Sequence, residues 1–139
     1  EACAGTPEPP DEYLFHAASS GDVPEVLSTL QEAMFRNAMV IRGEEGLSAA
    51  LGTVERLSAD LSLCPSADVR AIAQTRRLTG RLHTAEAILK AALLRRESRG
   101  AHYRADYPEA DPAQSSPIIV SQDSGAIRAR FTKEDVPCS

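Results

Sequence analysis

The chain has 139 residues, a net charge of −5, 42% hydrophobic residues and 25% charged residues. These values suit one soluble globular domain with room for a single helical core. An aromatic content of 4% without Trp argues against a base-stacking surface, and no apolar run reaches membrane-spanning length.

The first 21 residues read as a linker. Gly5, Pro7, Pro9 and Pro10 disfavour helix there, and Tyr13, Leu14 and Phe15 form a small apolar cluster suited to anchoring it. The segment is acidic and lacks the basic and apolar regions of a signal peptide, and its first residue is Glu where an initiator Met would stand, a hint of processing or of excision from a longer chain. A first helix is predicted from Asp22, with Asp22 and Glu25 as a capping box and Pro24 in the first turn. Its apolar stripe is Val23, Val26, Leu27, Leu30, Met34, Ala38 and Ile41, and Gly43 is expected to cap its C-terminus.

A second helix is predicted over 44–61, with Leu47, Ala50, Leu51, Val54, Leu57 and Leu61 on one face. Glu44 and Glu45 sit where the helix dipole favours negative charge. Leu63 to Ser66 reads as a break, with Ser66 as the next N-cap. A third helix is expected over about 67–98, its stripe running Val69, Ile72, Ala73, Leu82, Ala85, Ile88 or Leu89, Ala92 and Leu93. Gly80 lies in its polar middle, where a bend is expected. Beyond Pro108 the chain turns polar, then β-prone at Ile118–Ser121 and Ala126–Phe131, with Gly125 in a turn between them. The domain plan is thus a linker over 1–21, a three-helix bundle over 22–108 and an extended tail with a β-hairpin over 109–139. The fold class is mostly α.

Charge is unevenly spread. Residues 1–65 hold eleven acids and three bases, residues 66–104 three acids and nine bases, and residues 105–139 six acids and three bases. An internally paired basic face is the expected result, not a nucleic-acid footprint. Cys3, Cys64 and Cys138 lack metal-ligand spacing and, with three scattered His, give no metal site. Their odd, dispersed count points to reduced thiols and a cytoplasmic setting. No glycine-rich phosphate loop, dinucleotide fingerprint or nucleophile elbow is present.

The densest set of functional groups is RRESRGAHYRADYP, residues 95–108, with four arginines, two acids and a histidine. Gly100 reads as the C-cap of the third helix. Arg95, Arg96, Arg99 and Arg104 are expected to pair with Glu97, Asp106 or the acidic first half, and His102 to be structural. A free-standing helical interaction module is compatible with these residues.

As a unit, this stretch resembles the R-x-E-S-R-G-A-H-x-R-x-D-Y-P segment of flavoprotein subunits in the succinate dehydrogenase and fumarate reductase family, to which L-aspartate oxidase is related. LQEAMFRNAMVIRGEEGLSAAL, residues 30–51, is similar to the family's Leu-Gln-x-x-Met and Arg-x-x-x-Gly-Leu pattern. The resemblance implies a spectrin-repeat-like, non-catalytic C-terminal domain of an FAD-dependent oxidoreductase that interconverts a dicarboxylate and its unsaturated product. It implies FAD in the full-length parent and none in this chain. The partners it implies are upstream FAD-binding and capping domains and an iron–sulfur subunit, with no nucleic acid and no direct membrane insertion. It places the parent in the cytoplasm or, through partner subunits, against the inner face of the membrane. Arg99, Gly100, His102, Arg104, Asp106 and Tyr107 match the motif one by one and are expected at an interface with the flavin-carrying part.

Overall fold

The computed structural model describes residues 15–19, 23–65 and 69–132. In chain order these form β1 (Phe15–Ser19), α1 (Val23–Ala38), β2 (Ile41–Arg42), α2 (Glu44–Ala59), β3 (Leu61–Pro65), α3 (Val69–Leu94), β4 (Tyr103–Arg104), a short 3₁₀ turn at Pro112–Gln114, β5 (Ile118–Asp123) and β6 (Ala126–Phe131). The three expected helices and the C-terminal hairpin are all present, and the class is mostly α. Asp22 and Ser66, the expected N-caps, and Tyr13 and Leu14 of the apolar cluster lie outside the described residues.

The core is the seam where the three helical stripes meet. Leu30 and Ala38 of α1, Leu47, Ala50 and Val54 of α2, and Leu78, Leu82, Ala85, Leu89 and Ala92 of α3 form one buried cluster. Each fully buried leucine stabilises the fold by roughly 2 kcal/mol relative to exposure. On α3 the buried series is Thr75, Leu78, Leu82, Ala85, Leu89 and Ala92, an unbroken alternation of three- and four-residue steps. It corrects the predicted stripe: Leu78 belongs to it, Leu89 is chosen over Ile88, and Val69 is 76% exposed because the seam begins a turn and a half later. The helix runs unbroken through Gly80, whose Cα faces open space.

The end of α1 also departs from expectation. The helix stops at Ala38, and Ile41, assigned to the stripe, is exposed. Arg42 explains the stop. Its Nε donates to the Ala38 carbonyl at 3.0 Å, capping the helix with a side chain. Its backbone lies parallel to Tyr103–Arg104, and its carbonyl accepts from Ala105 N–H at 2.8 Å. Gly43 is therefore the extended N-cap of α2, with φ −147°, and not the C-cap of α1.

Besides the short β2 and β4, two longer strands were not read from the sequence. β1, inside the expected linker, pairs antiparallel with β3, where a break was expected, from Phe15 opposite Pro65 to Ser19 opposite Leu61. The C-terminal hairpin pairs β5 with β6 in the register Ile118 to Phe131. An isolated hairpin is marginal in water, and this one is held against α3. Ile127 is buried, Lys90 Nζ donates to the Ile127 carbonyl at 3.1 Å, and the Arg95 guanidinium lies 5.2 Å from the Phe131 ring centre.

The hairpin turn has positive φ at both central residues, 50° at Ser124 and 85° at Gly125. That is the type I′ pattern, which favours Asn at the first position because Ser gains nothing from the left-handed region. Ser124→Asn is expected to raise stability by about 0.5 kcal/mol, seen as a higher urea midpoint with an unchanged slope. A lower midpoint would count against this turn geometry.

Candidate functional site

The segment after α3 folds into a compact set of interlocked turns. Arg99 and His102 exchange backbone hydrogen bonds, N–H to carbonyl, at 2.8 and 3.0 Å. Gly100 is the first of the two residues between them, with φ +56°, as a Gly-first hairpin turn requires. This corrects its assignment as a helix C-cap: α3 has already ended at Leu94. A second turn follows, closed by Tyr107 N–H on the Arg104 carbonyl at 3.1 Å. Ser98 ties the two together. Its hydroxyl accepts from Arg104 N–H at 2.9 Å and donates to the Tyr107 carbonyl at 2.8 Å.

Arg104 is fully buried. Its guanidinium forms a two-pronged pair with Asp106, Nε to Oδ1 and Nη2 to Oδ2, both at 2.7 Å. Its Nη1 donates to the carbonyls of Ala92 and Arg95 at 2.9 and 3.2 Å, at the C-terminal end of α3. Asp106 Oδ2 in turn accepts from Glu44 N–H at 2.9 Å, at the first residue of α2. One ion pair thus places a cation at the negative end of α3 and an anion at the positive end of α2. The Tyr107 ring lies 5.1 Å from the guanidinium. The Arg104 fork, above all, holds the Asp106 carboxyl far below the usual carboxylate range.

Glu97 is the second buried charge. It accepts from Arg95 Nη1 at 2.5 Å, Arg99 Nε at 2.9 Å and Asp111 N–H at 2.7 Å. The Arg99 hydrogen bonds lead in lowering its pKa to about 2. His102 is partly buried. Its Nδ1 accepts from Arg42 Nη1 at 2.6 Å and its Nε2 faces the Arg95 carbonyl at 3.4 Å, so the proton sits on Nε2. Burial and the nearby Arg42, Arg104 and Arg95 lower its pKa. It is held neutral as a structural bridge.

All four arginines of the stretch pair as the sequence suggested: Arg95 and Arg99 with Glu97, Arg104 with Asp106, and Arg96 weakly with Glu44 at 3.9 Å. Of the six motif residues, Arg104, Asp106 and Tyr107 meet at one ion pair, while Arg99, Gly100 and His102 form the turn beside it. Arg42, Ser98 and Asp111 were missed as participants. Arg42 is the arginine of the Arg-x-x-x-Gly-Leu pattern, which marked it in the sequence; Asp111 carries no such signal. Among the described residues no group of acids, His and Cys suits a metal. Nor do the residues fit a flavin cradle, because the guanidiniums of the motif are tied to Glu97, Asp106 and main-chain carbonyls.

A helical bundle closed by a buried ion-pair loop is the class of domain these features define. The chain belongs to the family described as the fumarate reductase flavoprotein C-terminus, which it matches over residues 27–137. It is 39% identical over 109 residues to an L-aspartate oxidase of Rhodospirillum rubrum, covering 78% of this chain and 34% of that protein. It is 29% identical over 102 residues to a fumarate reductase (CoM/CoB) subunit from Methanothermobacter marburgensis, covering 70% of this chain and 19% of that protein. The E. coli quinol fumarate reductase FrdA structure superposes with a TM-score of 0.66 at 20% identity, covering 87% of this chain and 23% of that one, which shows the shared fold. The chain therefore spans about a third or less of the proteins it matches.

Glu97 gives a pH test. Its folded pKa lies below its ordinary value of 4.5, so its contribution is complete above that value and is lost as pH falls through about 2. Glu97→Gln is expected to be less stable than the parent at neutral pH, by a difference that shrinks between pH 4.5 and about 2. Chemical denaturation across that range measures it. A difference independent of pH would contradict the assigned pairing.

Proposed function

We propose that the chain serves as the C-terminal, non-catalytic domain of an FAD-dependent oxidoreductase of the fumarate reductase and succinate dehydrogenase type. The family match over residues 27–137 carries the reading. In it the bundle supports upstream FAD-binding and capping domains of the same polypeptide, which hold the flavin and act on a dicarboxylate. Arg99, Gly100, His102, Arg104, Asp106 and Tyr107 form the loop that faces those domains. Arg99 is 43% exposed and Tyr103 42%, so both reach outward from a rigid base. An iron–sulfur subunit would pass electrons to the flavin. No helix among the described residues is long and apolar enough to cross a membrane, and attachment to one would run through such partners.

The 39% identity to an L-aspartate oxidase favours a second reading, in which the parent oxidises that amino acid. The two readings separate in one experiment. The longer polypeptide encoded with this chain is purified, its flavin absorbance recorded, and its turnover of succinate, fumarate and L-aspartate compared. Co-eluting flavin with succinate–fumarate interconversion is expected. L-aspartate oxidation in its place supports the second reading, and absence of flavin contradicts both.

A further inference from the structure

Two grooves meet at Ile88 and run along α3. One, of about 420 Å³, is bordered by Arg42, Arg95, Arg99 and His102; the other, of about 520 Å³, by Arg77 and Arg81. Among the described residues no acidic side chain lines either one. The charge balance within them is incomplete. Arg95 and Arg99 share the single carboxylate of Glu97. Arg42 donates to a carbonyl and to a neutral histidine and has no acidic partner among the described residues. Arg77 and Arg81 are exposed and make no ion pair among the described residues. The expectation of an internally paired basic face therefore holds for the motif arginines and for Lys90, which pairs with Glu86, and is not met at Arg77 and Arg81 among the described residues.

The floor of the trough is apolar. Ile88 is 46% exposed where the grooves join, and Met34 and Ile118 line its sides. Between Met34 and Arg42 the chain also exposes Phe35, Met39, Val40 and Ile41, each by more than half. A run of this kind on a small domain marks a contact surface more often than a solvated one. Unpaired guanidiniums over apolar ground favour an occupant that brings carboxylates together with apolar side chains.

We propose that this trough along α3, flanked by Met34, Arg42 and Ile118, is the docking surface for an acidic, apolar-studded face of the flavin-carrying part of the same polypeptide. The inference rests on the reading above and adds the face and its chemistry. The relatives make room for such an occupant, since this chain aligns with only 34% of one and 19% of the other.

Arginine footprinting tests it. The chain alone and the longer polypeptide are treated with phenylglyoxal, the modification rates of Arg42, Arg77 and Arg81 are read by mass spectrometry, and exposed Arg36 serves as the internal standard. At least tenfold slower modification of the three in the longer polypeptide, with Arg36 unchanged, is the expected result. Equal rates in both overturn the docking surface, even where the longer polypeptide carries flavin. Rates that slow in the chain alone as its concentration rises assign the trough to a second copy and also overturn it. A longer polypeptide that shields the arginines yet holds no flavin supports docking and contradicts the flavoenzyme reading.

Discussion

A guanidinium cannot shed its charge at any pH a folded protein survives, so an arginine with no exposed surface must be fully partnered inside the fold. Arg104 meets that demand with the Asp106 carboxylate and two carbonyls at the end of α3. Asp106 carries the connection on to the first amide of α2. Two helix ends that would otherwise present unsatisfied groups are thereby tied to one loop. Removing Asp106 would leave the buried Arg104 guanidinium without its carboxylate. Ser98 and Gly100 set the two turns that bring the pair into register.

The second buried charge works outward from the bundle. Glu97 gathers Arg95, Arg99 and the Asp111 amide, and Arg95 reaches on to the carbonyls of Gln114 and Ser116 and to the Phe131 ring. The hairpin is thus fixed to the bundle through the same loop. The loop holds bundle and tail in one arrangement, and the exposed arginines and apolar residues project from that fixed base. Such an arrangement suits a domain that positions another domain, since a contact surface is useful only when it is rigid relative to its own core.

Much of the fold was legible because its signals are local. Leucines and alanines at three- and four-residue steps gave the helices, and β-prone runs flanking a Gly-containing turn gave the hairpin. What was not legible depends on contacts that helical and strand periodicity do not report. Arg42 ends α1 because His102 and Ala105, some sixty residues away, hold it. Gly100 resembles a cap because it follows a helix, and only the bonds between Arg99 and His102 show it to be a turn. The α3 seam begins at Thr75, a polar residue that apolar periodicity passes over. The pairing of the motif arginines with nearby acids was readable, while the absence of an ion pair at Arg77 and Arg81 among the described residues was not, since it depends on what lies opposite them in space.

The central claim is that the forked pairing of Arg104, and not its charge alone, joins α2 to α3. Arg104→Lys keeps the charge and removes the fork, and its thermal unfolding measures the difference directly. The account predicts a melting temperature lower by roughly 5 °C or more, corresponding to about 2 kcal/mol. A melting temperature equal to that of the parent chain would contradict it.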